Sequence, residues 1–221
     1  MTDITFGSTA IVGDIAARLP GAAEVFRRAG ISFCCGGNVA LAEAAEKAGV
    51  PLATLSAELQ ALSDQAGRDA PSETPALIEH ILTRYHRTHR QELAFLISLA
   101  ERVEAVHGDH EEAPLGLTEA LVLLRDELES HMAKEEAVLF PSILQGAGAM
   151  LAGPIRVMQA EHEDTGQVLH RIEHVTRGLT LPAGACGSWT ALYTGLRKLC
   201  DDVVAHIHLE EEVLFPRALT S

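Results

Sequence analysis

Two stretches of this 221-residue chain carry the same chemistry-bearing side chains at the same spacing. His131-Met132-Ala133-Lys134-Glu135-Glu136-Ala137-Val138-Leu139-Phe140-Pro141 returns as His206-Ile207-His208-Leu209-Glu210-Glu211-Glu212-Val213-Leu214-Phe215-Pro216, an offset of 75 between residues 131 and 206. On a helix, residues four apart share a face, so each His and its first Glu can reach one cation or bridge two adjacent ones. A single His-x-x-x-Glu is also an ordinary surface pair; two copies at matched offset, each followed by Val-Leu-Phe-Pro, point to shared chemistry. A weaker echo, offset by 76 residues, relates His86 in Arg84-Tyr85-His86-Arg87 to His162 in Ala160-Glu161-His162-Glu163. Two helix pairs therefore read as copies of one unit, and the pseudo-twofold axis between them is a natural place for two metals.

The elements that would position these groups are long amphipathic helices. Periodicity predicts four, over about 76–107, 117–144, 154–177 and 188–214, separated by Gly- and Pro-containing breaks. Short connections favour an up-down-up-down four-helix bundle. In the second helix the inward stripe is Leu117, Leu121, Leu124, Leu128, His131, Glu135 and Val138; in the fourth it is Leu192, Leu196, Leu199, Val203, His206, Glu210 and Val213. The third places His162 among Ile155, Met158, Thr165, Leu169 and Ile172. In the first, His86 and His89 both fall on the apolar stripe, and the repeat selects His86, leaving His89 a supporting or structural residue. Imidazoles and carboxylates in hydrocarbon need partners or cost several kcal/mol. A pair of cations compensates them, with His86, His131, Glu135, His162, His206 and Glu210 as ligands. Four imidazoles and two carboxylates suit iron, zinc or copper better than magnesium or calcium, and leave coordination positions open for a small ligand. His80, His107, His110, His170, His174 and His208 are expected on the surface or in loops, with His107 the first to be promoted.

Composition agrees with an all-α class: aliphatic residues and Ala dominate, and aromatics make up only 4%. The net charge of −14 disfavours nucleic-acid binding, which draws on clustered Lys and Arg. No apolar run reaches the roughly 18 residues that span a bilayer, and Met1 to Ser8 lack a basic and apolar leader. The default compartment is the cytoplasm, and adjacent Cys34 and Cys35 with isolated Cys186 and Cys200 do not form the framework of a secreted disulfide scaffold.

Ahead of the bundle, residues 1–66 are expected to form a small helical domain. Its short helices are Ile11 to Leu19, Gly21 to Ala29, Val39 to Ala48 and Ala53 to Gln65, and a polar linker follows at 67–75. Cys34 and Cys35 fall just before a helix start, where amides and the helix dipole can lower a thiol pKa. They are expected to relay electrons, or to hold iron or a nitrosyl group transiently; the alternative is that small side chains suit a crowded turn before Gly36-Gly37. Cys200 reads as a small buried hydrophobe.

Taken together, Phe33-Cys34-Cys35-Gly36-Gly37, Arg84-Tyr85-His86-Arg87-Thr88-His89-Arg90, Ser130-His131 through Glu136, Glu161-His162-Glu163 and His206 through Arg217 resemble the repair-of-iron-centres family of iron–sulfur cluster repair proteins, which have a hemerythrin-like C-terminal domain. The resemblance spans nearly the whole chain. It implies a hemerythrin-like bundle with two non-haem irons, ligands at His86, His131, His162 and His206, and bridging carboxylates at Glu135 and Glu210. It further implies damaged iron–sulfur proteins as partners, nitric oxide or oxygen as small ligands, and a role under nitrosative or oxidative stress. Iron donation, nitric oxide binding or sensing, and reduction of nitric oxide to nitrous oxide are all compatible with the resemblance, as is a homodimer.

Overall fold

A computed structural model describes residues 6–33, 37–66 and 70–220. Cys34 and Cys35 lie outside the described residues, as does the 67–69 part of the expected linker. Every described element is helical, apart from one antiparallel bridge between Ile11 and Ala40.

Four short helices come first: α1 (Val12–Arg18), α2 (Ala22–Arg28), α3 (Leu41–Ala48) and α4 (Leu52–Gln65). Glycine caps the start of α2 at Gly21 and the end of α3 at Gly49. Gly49, at φ 70°, stops α3 by turning the chain so that Val50 N–H donates to the Ala45 carbonyl at 3.0 Å. The segment after the cysteines is tied to the start of α1 by Gly13 N–H to the Gly37 carbonyl at 2.8 Å and Val12 N–H to the Val39 carbonyl at 3.1 Å. Phe26, Leu41, Leu55 and Leu59 anchor a hydrophobic core that belongs to these helices alone.

Four long helices follow: α5 (74–107), α6 (117–144), α7 (Ala152–Val175) and α8 (187–220). Around the bundle α8 packs on α5, α5 on α6, and α6 on α7, while α1 lies along the remaining side against α7 and α8. No helix among the described residues is long and apolar enough to cross a membrane.

Three of the long helices widen to a π turn near their polar core residues, at Ile81–His86 in α5, Glu135–Leu139 in α6 and Glu210–Leu214 in α8. Such turns insert one extra residue and recur at functional sites. Each corrects the inward stripe expected from straight 3.6-residue periodicity. Val138 is 59% exposed, and its neighbour Leu139 is buried in its place. In α8, Leu214 rather than Val213 is fully buried. The fourth helix also runs past its expected end at 214 to Thr220, because Pro216 follows the π turn, where the α hydrogen-bond ladder is already out of register and the missing N–H costs little.

Two separate apolar clusters fill the bundle. The larger is built on Leu93, Leu121, Leu196 and Trp189; the smaller, at the other end, on Ile81, Phe140, Leu214 and Phe215. The layer between them is polar.

Candidate metal centre

The layer that divides the hydrophobic clusters consists of His86, His131, Glu135, His162, His206 and Glu210, each at most 6% exposed. All six residues singled out from the sequence converge there. His86 Nε2 and His206 Nε2 face each other at 3.2 Å, and so do His131 Nε2 and His162 Nε2. Two imidazole nitrogens at that distance satisfy each other only if one is a donor, but four of them converging with carboxylates suit shared cations. Glu135 Oε2 lies 3.4 Å from His86 Nε2 and 3.3 Å from His131 Nε2. Glu210 spans the same gap, with Oε1 2.8 Å from His206 Nε2 and Oε2 3.1 Å from His162 Nε2. Two groups therefore have ligand atoms close enough to share an ion: His86, Glu135, His206 and Glu210, and His131, His162 and Glu210.

Each half-site draws on both sequence repeats. The lone His of one helix pair meets the His-x-x-x-Glu of the other: His86 of α5 with His206 of α8, and His162 of α7 with His131 of α6. Within a pair the second helix instead buttresses the first. Glu136 Oε1 of α6 sits 2.8 Å from His86 Nδ1 and Phe140 stacks on the same ring at 5.7 Å; Glu211 Oε1 of α8 sits 3.0 Å from His162 Nδ1 and Phe215 stacks on that ring at 6.1 Å. These contacts give a physical role to the second Glu and the Phe of the repeated His-x-x-x-Glu-Glu-x-Val-Leu-Phe. Glu161 Oε2 completes the set at 3.0 Å from His131 Nδ1. A carboxylate on Nδ1 fixes the ring and leaves the Nε2 lone pair for a metal. Glu136, Glu161 and Glu211 escaped the sequence reading, although the doubled Glu after each inward His and the Glu before His162 were visible signals.

The electrostatics show a site short of positive charge. Glu135 has no hydrogen-bond donor on either oxygen, and Glu210 Oε2 and His206 Nδ1 are likewise buried and unsatisfied among the described residues. Burial opposes protonation of His131, yet the attraction of the Glu135 and Glu210 carboxylates, 3.3 and 3.9 Å from its Nε2, outweighs this and pushes its pKa up to about 11. Burial opposes protonation of His86 and His162 too, and their carboxylate partners raise both. Burial would raise Glu210, but the imidazoles of His206, His131 and His162 gathered around it hold it well below the usual carboxylate range. His206 is the exception, lowered chiefly by its complete burial.

His89 is fully buried beside the layer, its ring 5.4 Å from His206 and 6.0 Å from Tyr85. Among the described residues neither of its nitrogens has a partner, and burial lowers its pKa to about 2, so it sits there neutral. His107 is not brought to the centre: it ends α5, 21 residues beyond His86 and roughly 30 Å along the axis by helix rise, where its Nε2 lies 3.1 Å from Cys186 Sγ. His170 and His208 are half-buried rather than on the open surface, because α1 covers that side of the bundle: the His170 ring closes against Gly13 and His208 bonds to the Arg18 backbone.

Comparison with known proteins agrees with this geometry. Residues 77–218 match the Hemerythrin HHE cation binding domain, and residues 8–63 match a domain of unknown function, DUF542. The iron-sulfur cluster repair protein YtfE of Escherichia coli (strain UMN026) is 44% identical over 212 residues, covering 94% of this chain and 96% of that protein. YtfE of Shigella boydii serotype 4 has the same identity and coverage. With a cation-binding family match over its four long helices and near full-length similarity to these relatives, the chain belongs to the hemerythrin-like iron-sulfur cluster repair family.

Proposed function

We propose that this protein repairs iron–sulfur clusters damaged by nitrosative or oxidative stress, using two non-haem irons bound in the polar layer of the bundle. The observation that carries this reading is the donor set itself: four imidazole Nε2 atoms and two buried, under-satisfied carboxylates between two hydrophobic clusters. In this reading His86 and His206 would hold one iron and His131 and His162 the other, with Glu135 and Glu210 as the shared carboxylates. Iron bound there would supply redox chemistry and open positions for nitric oxide or oxygen, and would also be the cargo a cluster under repair needs. The protein's own part is orientation and exclusion. Glu136, Glu161 and Glu211 fix three of the rings, Phe140 and Phe215 pack over two of them, and the apolar cluster around Ile81 and Leu214 keeps bulk water from that end.

The division at 66 and 76 belongs to the same reading: a small N-terminal domain that carries Cys34 and Cys35 as an electron or iron relay, and a bundle that carries the metals. The compartment proposed is the cytoplasm, and the partners are damaged iron–sulfur proteins. The test is reactivation of a nitric-oxide-inactivated cluster enzyme by anaerobically iron-loaded protein. Recovery with the parent and none with His162→Ala supports the proposal; no recovery with fully loaded parent refutes it. Nitrous oxide formed under turnover with a reductant would identify nitric oxide reduction in place of repair.

A further inference from the structure

Away from the metal layer, a cleft of about 600 Å³ opens where α2 meets the turn after α7 and the first half of α8. Its charge is out of character for the chain. A molecule with 17 Lys and Arg against 31 Asp and Glu sets Arg27, Arg28, Arg177 and Arg197 around this one space, with Glu24 the only carboxylate residue in the lining.

The guanidinium groups are incompletely matched. Arg27 reaches Glu173 at 2.8 Å and Glu24 at 3.0 Å, yet its Nη2 is buried with no partner among the described residues. A buried donor left unbonded is destabilising unless something else accepts from it. Arg197 donates to the Leu179 carbonyl at 2.8 Å and, among the described residues, pairs with no carboxylate. Among the described residues Arg28 pairs with Glu58 on the exposed side, where an ion pair is readily exchanged. Arg177 is the better matched, pairing with Glu112 at 3.0 Å and donating to the Glu111 carbonyl at 2.9 Å, a partly exposed pair that an incoming anion would have to exchange.

Two cations stand on the α2 wall and two on the bundle wall, and Ile31, Phe33 and Leu181 supply apolar surface. Guanidinium forks match carboxylate and phosphate oxygens in paired hydrogen bonds, and a cleft of about 600 Å³ has room for more than one such group. We propose that this cleft binds a small organic molecule with at least two carboxylate or phosphate groups on an apolar body, bridging the N-terminal helices to the bundle. The inference goes beyond the repair reading and does not depend on it.

Calorimetric titration of the full-length, iron-loaded protein at low salt tests this with three probes: isophthalate, 1,6-hexanediol bisphosphate and the monoanion benzoate. Saturable binding of either two-headed probe is expected, with benzoate at least about tenfold weaker. Which of the two binds better distinguishes a carboxylate ligand from a phosphate one. Arg197→Gln and Arg28→Gln should each weaken binding by about tenfold with iron content and helicity unchanged, and the exposed Arg28 makes the second variant safe for folding. Failure of both two-headed probes to bind, or both variants binding as tightly as the parent, overturns the proposal.

Discussion

Tyr85 lies flat against His206, ring centroids 5.3 Å apart and planes 6° from parallel, in the position where the other half of the centre has Glu161 hydrogen-bonded to His131 at 3.0 Å. By the 76-residue offset Tyr85 and Glu161 are equivalent, so the pseudo-twofold repeat breaks at this pair. One inward imidazole receives a carboxylate on Nδ1; the other receives an aromatic face, and its Nδ1 is unpartnered among the described residues.

A carboxylate on the far nitrogen makes a histidine a stronger ligand, and losing such a partner costs about 10- to 100-fold in metal affinity. Chelator competition on the loaded protein is therefore expected to remove the two ions in separate steps, the ion on the His206 side leaving first. Glu161→Gln should weaken the tighter step by about tenfold and bring the two steps together. Single-step removal from the parent would contradict this asymmetry.

Metal uptake should release protons. His131 has a folded pKa of about 11 against about 6.5 in an unfolded chain. Its bound proton therefore stabilises the metal-free fold fully below about pH 6.5, and this contribution is lost as pH rises through about 11. A metal needs the same Nε2 lone pair and must displace that proton. Anaerobic ferrous titrations at pH 7 in buffers of different ionisation enthalpy should show net proton release, and affinity should increase with pH. Uptake without proton release would count against a charged His131.

Glu173 gives a second pH effect, at the contact between the N-terminal helices and the bundle. Its side chain is 5% exposed, and burial lifts its pKa from 4.5 to about 7 despite the Arg27 charge beside it. A raised carboxyl stabilises the fold when protonated, so this contribution is complete below about pH 4.5 and is lost as pH rises to about 7, a change of about 3 kcal/mol. Urea unfolding at pH 5.5 and pH 8 should show the parent losing stability relative to Glu173→Gln as pH rises. Parallel behaviour of the two proteins would refute the assignment.

The cysteines of the bundle should differ sharply in reactivity. Cys200 is buried, and burial pushes its thiol well above the ordinary range; Cys186 is partly exposed at the start of α8. In a Cys34→Ser/Cys35→Ser background, iodoacetamide under native conditions should label Cys186 and leave Cys200 for detection only after denaturation. Comparable native labelling of both would show that α8 opens readily.

That these six residues would meet in one buried layer was legible in the chain because a carboxylate or imidazole on an aliphatic helix stripe has few tolerable fates, and a repeat 75 residues later made coincidence a poor explanation. His86, His131, Glu135, His162, His206 and Glu210 could all be picked out on that basis, as could the helices that carry them. Local sequence, however, encodes a face and a spacing, not a partner. That His86 meets His206 rather than His131, that Glu136 and Glu211 brace a ring on the neighbouring helix, and that Tyr85 takes the place of a carboxylate follow from how four helices pack. The π turns that bury Leu139 instead of Val138 were equally hidden, since they shift the register only once the bundle closes around its polar layer. The arginine cleft lies furthest from sequence reach: Arg27 and Arg197 are 170 residues apart, and only the docking of α1 and α2 against the bundle gathers their charges in one place.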